Sequence, residues 1–209
     1  YEQPQAVAET LEGRVAGGKV LEASFGPNAT EMFDKIKSVQ LIACGTSFHA
    51  AMVARNWFEG VAGIPCRVEV ASEFRYRHPV PNPDALVVVL SQSGETADTL
   101  AALRATKEWG FGPSLAICNV PESSPSREAD LTMMTRAGPE IGVASTKAFT
   151  TQLVALLLLV TAIGRRHRIS AERETAIVEQ LLGLPRHIEE VLKLDEPIKQ
   201  LAERFADKQ

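Results

Sequence analysis

The sequence predicts an α/β fold built on a doubly wound parallel sheet. Five short, nearly continuous runs of Val, Leu, Ile and Ala recur between residues 39 and 135, as expected of strands covered on both faces. Segments with helical spacing separate most of them, the alternation that produces parallel strands. Several runs break off into clusters of Gly, Ser and Thr, and in such sheets ligands bind beyond the carboxyl ends of the strands.

In chain order, residues 1–37 read as a polar, helical lead-in. VQLIA (39–43) is the first strand, ending in Cys44-Gly45-Thr46-Ser47. The next segment carries Met52, Val53, Trp57 and Val61 at helical spacing and stops at Gly60 or Gly63. CRVEVAS (66–72) is a second strand, followed by the Pro-rich turn HPVPNPD, and ALVVVL (85–90) is a third. Residues 96–109 form an amphipathic helix with Leu100, Leu103 and Trp109 among its apolar positions, and SLAIC (114–118) is a fourth strand closed by NVPESSP. DLTMMT (130–135) is the fifth run, followed by RAGPEIGVAST and a long apolar helix from Lys147 to Ile163. Helices alone fill 171–206. The expected organisation is therefore a lead-in (1–37), a central ligand-binding domain (38–165) and C-terminal helices of the same unit (166–209).

Composition excludes several functions. With 209 residues, 45% hydrophobic and 23% charged, the chain can bury a substantial core. A net charge of -4, without a basic run, gives no nucleic-acid face. Cys44, Cys66 and Cys118 are far apart, with neither CxxC spacing nor an even count, which favours a reducing, cytoplasmic compartment. The apolar run at 153–163 is about half of the roughly 20 residues of a membrane span and reads as a buried helix. No signal peptide is visible, and the opening YEQP without Met is expected of a chain processed or cut from a longer one.

The chemistry concentrates in three loops. SQSGET offers Ser91, Gln92, Ser93 and Thr96, a Gly94 that admits close backbone approach, and then a helix start whose free N–H groups favour an anion. Phosphate or carboxylate binding fits all of these residues, whereas helix capping by Ser93 fits one or two. No GxxxxGK[ST] occurs, so the cradle would be neutral, made of hydroxyls and backbone. Thr46 and Ser47 repeat the design after the first strand. In a flavodoxin-like strand order these two loops flank one switch point. Ser145, beside Thr146, stands at the start of the long apolar helix, as a cap or as a ligand contact.

Other candidates are weaker. Cys44 has no ordered His/Asp partners for nucleophilic catalysis, and His49, His78, His167 and His187 lack metal-ligand spacing, so no metal site is expected. Glu95 is expected to point outward, since turned inward it would repel an anion. Glu140 and Lys147 flank the third loop either as groups acting on a sugar or as exposed charges.

Together CGTS, ASEFRYR, LSQSGETADTL, AICNVPESS and EIGVASTKAFTTQL resemble the first sugar isomerase (SIS) subdomain of the glutamine:fructose-6-phosphate aminotransferase (isomerising) family, over essentially the whole chain. The resemblance implies a three-layer α/β/α fold, a five-stranded parallel sheet, and a site for fructose 6-phosphate or glucosamine 6-phosphate. It matches Ser91, Gln92, Ser93 and Thr96 to the phosphate loop, Thr46 and Ser47 to the sugar-phosphate lining, and Val143 and Ser145 to contacts at the sugar end. It implies a homodimer, and partners in a glutaminase domain and a second SIS domain that this sequence lacks. The family's proton-transfer glutamate, ring-opening histidine and carbonyl lysine belong to that missing part. Isomerisation needs a positioned base and an electrophilic partner, and no convincing catalytic pair is present. No cofactor is implied. The competing readings are a regulatory SIS module sensing a phosphosugar, for which no helix-turn-helix with a basic surface is visible in 1–37, and a self-sufficient isomerase using a base such as Glu95 or Glu140.

Overall fold

The computed structural model describes residues 1–141, 145–206 and 208. The chain begins with α1 (Gln3–Leu11), then a tight hairpin of β1 (Val15–Ala16) and β2 (Lys19–Val20), a short 3-10 turn at Glu22–Phe25, and α2 (Ala29–Phe33). The lead-in is thus only partly helical. Gly17 and Gly18 both hold positive φ (57° and 71°), which a two-residue turn between antiparallel strands requires and a side chain disfavours.

The sheet that follows is parallel and five-stranded. It comprises β3 (Ser38–Ala43), β4 (Cys66–Val70), β5 (Ala85–Ser91), β6 (Ser114–Cys118) and β7 (Leu131–Met134), in the order β4-β3-β5-β6-β7. This is the flavodoxin-like order. From β3 the chain winds first to one side and then to the other, so the switch point lies between β3 and β5. Register is continuous across the sheet, Leu41 pairing with Val68 and Val88, and Val88 with Leu115. All seven residues of β5 are buried, as its run of consecutive apolar residues predicts.

Between the strands run α3 (Gly45–Trp57), α4 (Ala71–Arg77), α5 (Ala97–Trp109) and the short α6 (Ser124–Glu128); α7 (Lys147–Gly164), α8 (Ala171–Leu192) and α9 (Asp195–Phe205) follow. Strand alternation sends Leu41, Val88, Leu115 and Met133 to one face, where α1, α3, α7 and α8 bury them. It sends Ile42, Val87, Val89 and Ala116 to the other, under α4 and α5. These are the three α/β/α layers. By length and composition α7 could cross a membrane, at mean hydropathy 1.7, but 78% of it is buried inside the protein. It is the principal core helix.

Three local expectations need correction. The second strand stops at Val70, and ASEFRYR is helix α4 rather than a lead into the Pro-rich turn. NVPESSP contributes to α6 rather than forming only a loop. On α3, Met52 and Val53 are exposed, and the buried face consists of Ala50, Ala51 and Ala54, followed by Phe58. Small residues win there because α3 lies close against α7 and the sheet, with no room for longer side chains.

Charged contacts tie the lead-in to the turn after α7. Glu22 accepts from Arg165 (3.1 Å) and Arg166 (2.6 Å), while Glu174 accepts from Arg165 Nε (2.8 Å) and from the backbone N–H of Val20 (2.8 Å). The buried Arg14 donates to the carbonyls of Thr10 and Met134, and burial pushes its pKa down to about 10.

Candidate functional site

A cavity of about 170 Å³ opens at the carboxyl ends of β3 and β5, lined by Cys44, Thr46, Ser47, Leu90, Ser91, Gln92, Ser93, Thr96 and Ser145. It brings together seven of the eight residues singled out in the sequence. Val143 lies outside the described residues. The cavity's volume suits one end of a ligand rather than a whole drug-sized molecule, which needs at least about 300 Å³.

Among the described residues no charged side chain lines it. Its donors are hydroxyls, one carboxamide and helix starts. α3 begins at Gly45, whose φ of +54° is a left-handed turn that lets the chain leave β3 and enter the helix at once. Thr46 and Ser47 then fall in the first helical turn. Neither Cys44 at the start of α3 nor Thr96 at the start of α5 caps its helix with its side chain. Thr96 Oγ1 instead lies 3.3 Å from Ser91 Oγ. Ser93, the cap expected from the sequence, lies three residues before the N-cap position of α5 and accepts from Glu95 N–H instead, and the first-turn N–H groups of both helices are left without side-chain caps beside the cavity.

The loop's shape comes from its own hydroxyls. Ser91 Oγ accepts from the N–H of Gly94 (3.0 Å), and Ser93 Oγ from that of Glu95 (3.2 Å). Gly94 holds φ at +68°, and a Cβ there would collide with Cβ and Oγ of Ser123. Glu95 is exposed, and its carboxylate faces the backbone N of Ser124 rather than the cavity.

The third wall is braced from outside. Glu140 Oε1 accepts from the N–H of Thr146 (2.7 Å), so the carboxylate covers the start of α7, and Thr146 makes no side-chain cap. Lys147 is buried against Glu2 (2.7 Å), whose carboxyl it holds below the usual range. Neither Glu140 nor Lys147 lines the cavity. Asn119 binds the segment after β7, accepting from Ala137 N–H (2.7 Å) and donating to the carbonyl of Gly138 (2.8 Å).

Sequence reasoning missed Gln152, a buried amide on α7 that donates to Ser47 Oγ at 2.9 Å. The available signal was one carboxamide just before the apolar run at 153–163. Cys66 and Cys118 are no nucleophiles: burial pushes their thiols up to about 12 and about 11. Among the described residues no three His, Cys, Asp or Glu side chains converge on a possible metal site.

A parallel sheet in the order β4-β3-β5-β6-β7, with a hydroxyl-lined cavity at its switch point, defines a doubly wound α/β domain of the ligand-binding type. The SIS domain profile matches residues 32–162, and the chain belongs to that family. It is 60% identical over 209 residues to the glutamine--fructose-6-phosphate aminotransferase [isomerizing] of Pseudomonas syringae pv. tomato, covering all of this chain and 34% of that protein. It is 56% identical over 208 residues to the enzyme of the same name from Escherichia coli K12, again covering 34% of it. Among solved structures it superposes on the C-terminal domain of glucosamine-fructose-6-phosphate aminotransferase from Francisella tularensis, with TM-score 0.94 and 47% identity. The match covers all of this chain and 58% of that one. The chain thus spans about a third of the length of these enzymes.

Proposed function

We propose that this chain holds a sugar phosphate, fructose 6-phosphate or glucosamine 6-phosphate, as one half of the isomerase domain of a glutamine:fructose-6-phosphate aminotransferase. The observation that carries the reading is the uncharged cavity at the switch point, where Thr46, Ser47, Ser93 and Thr96 stand around two helix starts without side-chain caps. The identity to named relatives supports the choice of ligand.

Phosphate oxygens would accept from these hydroxyls and N–H groups, while Ser145, and Val143 by resemblance, would face the sugar. Such a cradle binds and orients, fixing the phosphate end so that the carbonyl end is presented to other groups. Among the described residues no base and carbonyl electrophile stand together around the cavity. We therefore assign proton transfer to a second SIS domain, and ammonia supply to a glutaminase domain, of a longer protein. Two further features fit that reading. Val191, Leu194, Ile198, Leu201 and Phe205 form an exposed apolar stripe along the end of α8 and α9, of the kind that packs against another unit. The three cysteines are free, which suits the cytoplasm. A homodimer belongs to the same proposal by family analogy.

Calorimetry with fructose 6-phosphate and fructose tests it. The expected result is binding of the phosphate ester alone, with no glucosamine 6-phosphate formed when ammonia is added. Equal affinity for the two sugars would remove the phosphate assignment.

A further inference from the structure

We propose that Gln152 is a positioning residue for the sugar phosphate, acting through Ser47; this rests on the function proposed above. Gln152 is 2% exposed on an apolar helix, a costly place for a carboxamide unless its hydrogen bonds are made. Its Nε2 donates to Ser47 Oγ at 2.9 Å. That bond joins α7 to the first turn of α3, and the cavity is lined by Thr46 and Ser47 of α3 and by Ser145 just before α7.

The direction of the bond matters. A serine hydroxyl has one proton to give and two lone pairs to receive with. With one lone pair occupied by the carboxamide, the Ser47 proton is left for another acceptor. Among the described residues Ser47 donates to no protein group, and its side chain lines the cavity. A phosphate oxygen in the cavity is the acceptor that completes the chain Gln152 → Ser47 → ligand, and hydrogen bonds in such a chain polarise one another. The carboxamide thereby fixes Ser47 as a donor to the ligand, and ties the first turn of α3 to α7.

The test is a double-substitution cycle read by calorimetry in the 209-residue chain. Gln152→Met keeps the bulk and removes the donor; Gln152→Glu keeps the shape and presents a carboxylate that accepts from Ser47. We expect Gln152→Met to weaken fructose 6-phosphate binding about fivefold to tenfold, and Gln152→Glu to weaken it further. Gln152→Met should not weaken binding further in a Ser47→Ala background, because the route to the ligand is already cut; Gln152→Glu keeps there only the repulsion between its charge and the phosphate. A purely structural role would lower the melting temperature and weaken binding equally with and without Ser47. That result would overturn the proposal, as would native-like affinity in a folded Gln152→Glu variant, which also decides the case if Gln152→Met does not fold. If the unsubstituted chain does not distinguish fructose 6-phosphate from fructose, the functional reading itself fails, and this inference with it. Discrimination by the native chain combined with unaffected variants defeats the inference alone.

Discussion

The two ends of the sheet differ in a way that volume alone would misrank. At the amino ends of β3, β4 and β5 lies a groove of about 560 Å³, lined by residues including Lys37, Gln40, Arg67, Glu69, Asn82 and Asp84. At the carboxyl ends lies the cavity of about 170 Å³. Most of the polar groups in the larger groove are already satisfied: Lys37 pairs with Asp84 at 2.8 Å, Arg77 with Glu69 at 2.6 Å, and Asn82 donates to Ser38 at 3.0 Å. In the smaller cavity two helices begin without side-chain caps. The cause is topological. In a parallel α/β sheet each strand runs into the start of its helix at the carboxyl end, so the positive ends of the helix dipoles collect there. Unused hydrogen-bonding capacity, more than space, marks the end to which the proposed function assigns the ligand.

The largest expected effect separates two glycines with the same backbone demand. Gly94 (φ +68°) sits in the cavity loop, where a Cβ would strike Ser123; Gly110 (φ +83°) ends α5 at the opposite end of the sheet, with nothing within 4 Å of a Cβ. Gly94→Ala adds overpacking of about 1–3 kcal/mol to backbone strain of similar size. The loop must move, and affinity for fructose 6-phosphate is expected to fall on the order of a hundredfold. Gly110→Ala carries the strain alone, so thermal stability should fall while calorimetry finds binding unchanged. Equal binding losses in the two variants would break the comparison between the ends.

A smaller effect sharpens the same contrast between capping and binding. Ser170 caps α8, its hydroxyl accepting from the N–H of Arg173 at 3.2 Å, whereas Thr96 occupies the corresponding position on α5 and caps nothing. Ser170→Ala is expected to cost about 1 kcal/mol of stability and no affinity. Thr96→Ala is expected to leave the melting temperature nearly unchanged and to weaken sugar-phosphate binding about tenfold. Denaturation and calorimetry on both variants check the exchange of roles.

The same physics explains what the sequence made legible. Continuous apolar runs identify the five strands because sheet burial on both faces imposes them on every residue. The hydroxyl clusters identify the cavity because helix starts alone do not require so many donors. Short elements escaped: α4 buries only Ala71 and Phe74 within seven residues, too little to establish a helical period. The hairpin has its own signal in the Gly17-Gly18 pair, but the flanking strands are only two residues each, too short to show an alternating pattern. Gln152 escaped because its partner, Ser47, is 105 residues away, and no local pattern connects them. Met52 and Val53 misled because hydrophobicity names a buried face only where there is room for large side chains.

Away from both ends of the sheet, Glu22 offers an effect on stability alone. Its side chain is mostly buried; burial pushes its pKa up, but the hydrogen bonds and charges of Arg166 and the charge of Arg165 outweigh burial and leave it below the ordinary value. A folded-state value below the unfolded one contributes stability above about pH 4.5, lost as pH falls through the folded value. Glu22→Gln should therefore lower stability near neutrality and flatten its dependence on pH in that acid window, while sugar-phosphate affinity at pH 7 stays native. Urea denaturation at a series of acid pH values follows it.

The smallest expected effect lies in the larger groove. Lys37 and Asp84 are both well exposed, and an ion pair between exposed groups adds little to stability. Changing both to Ala leaves no unpaired charge behind, so neither the fold nor the helix starts on the far side of the sheet should respond. Fructose 6-phosphate affinity is expected to match the native chain within calorimetric error. A loss here as large as that of Thr96→Ala would mean that the two ends of the sheet are coupled through β3 and β5, the strands that reach both of them, and the cavity could no longer be treated as a site defined by its own loops.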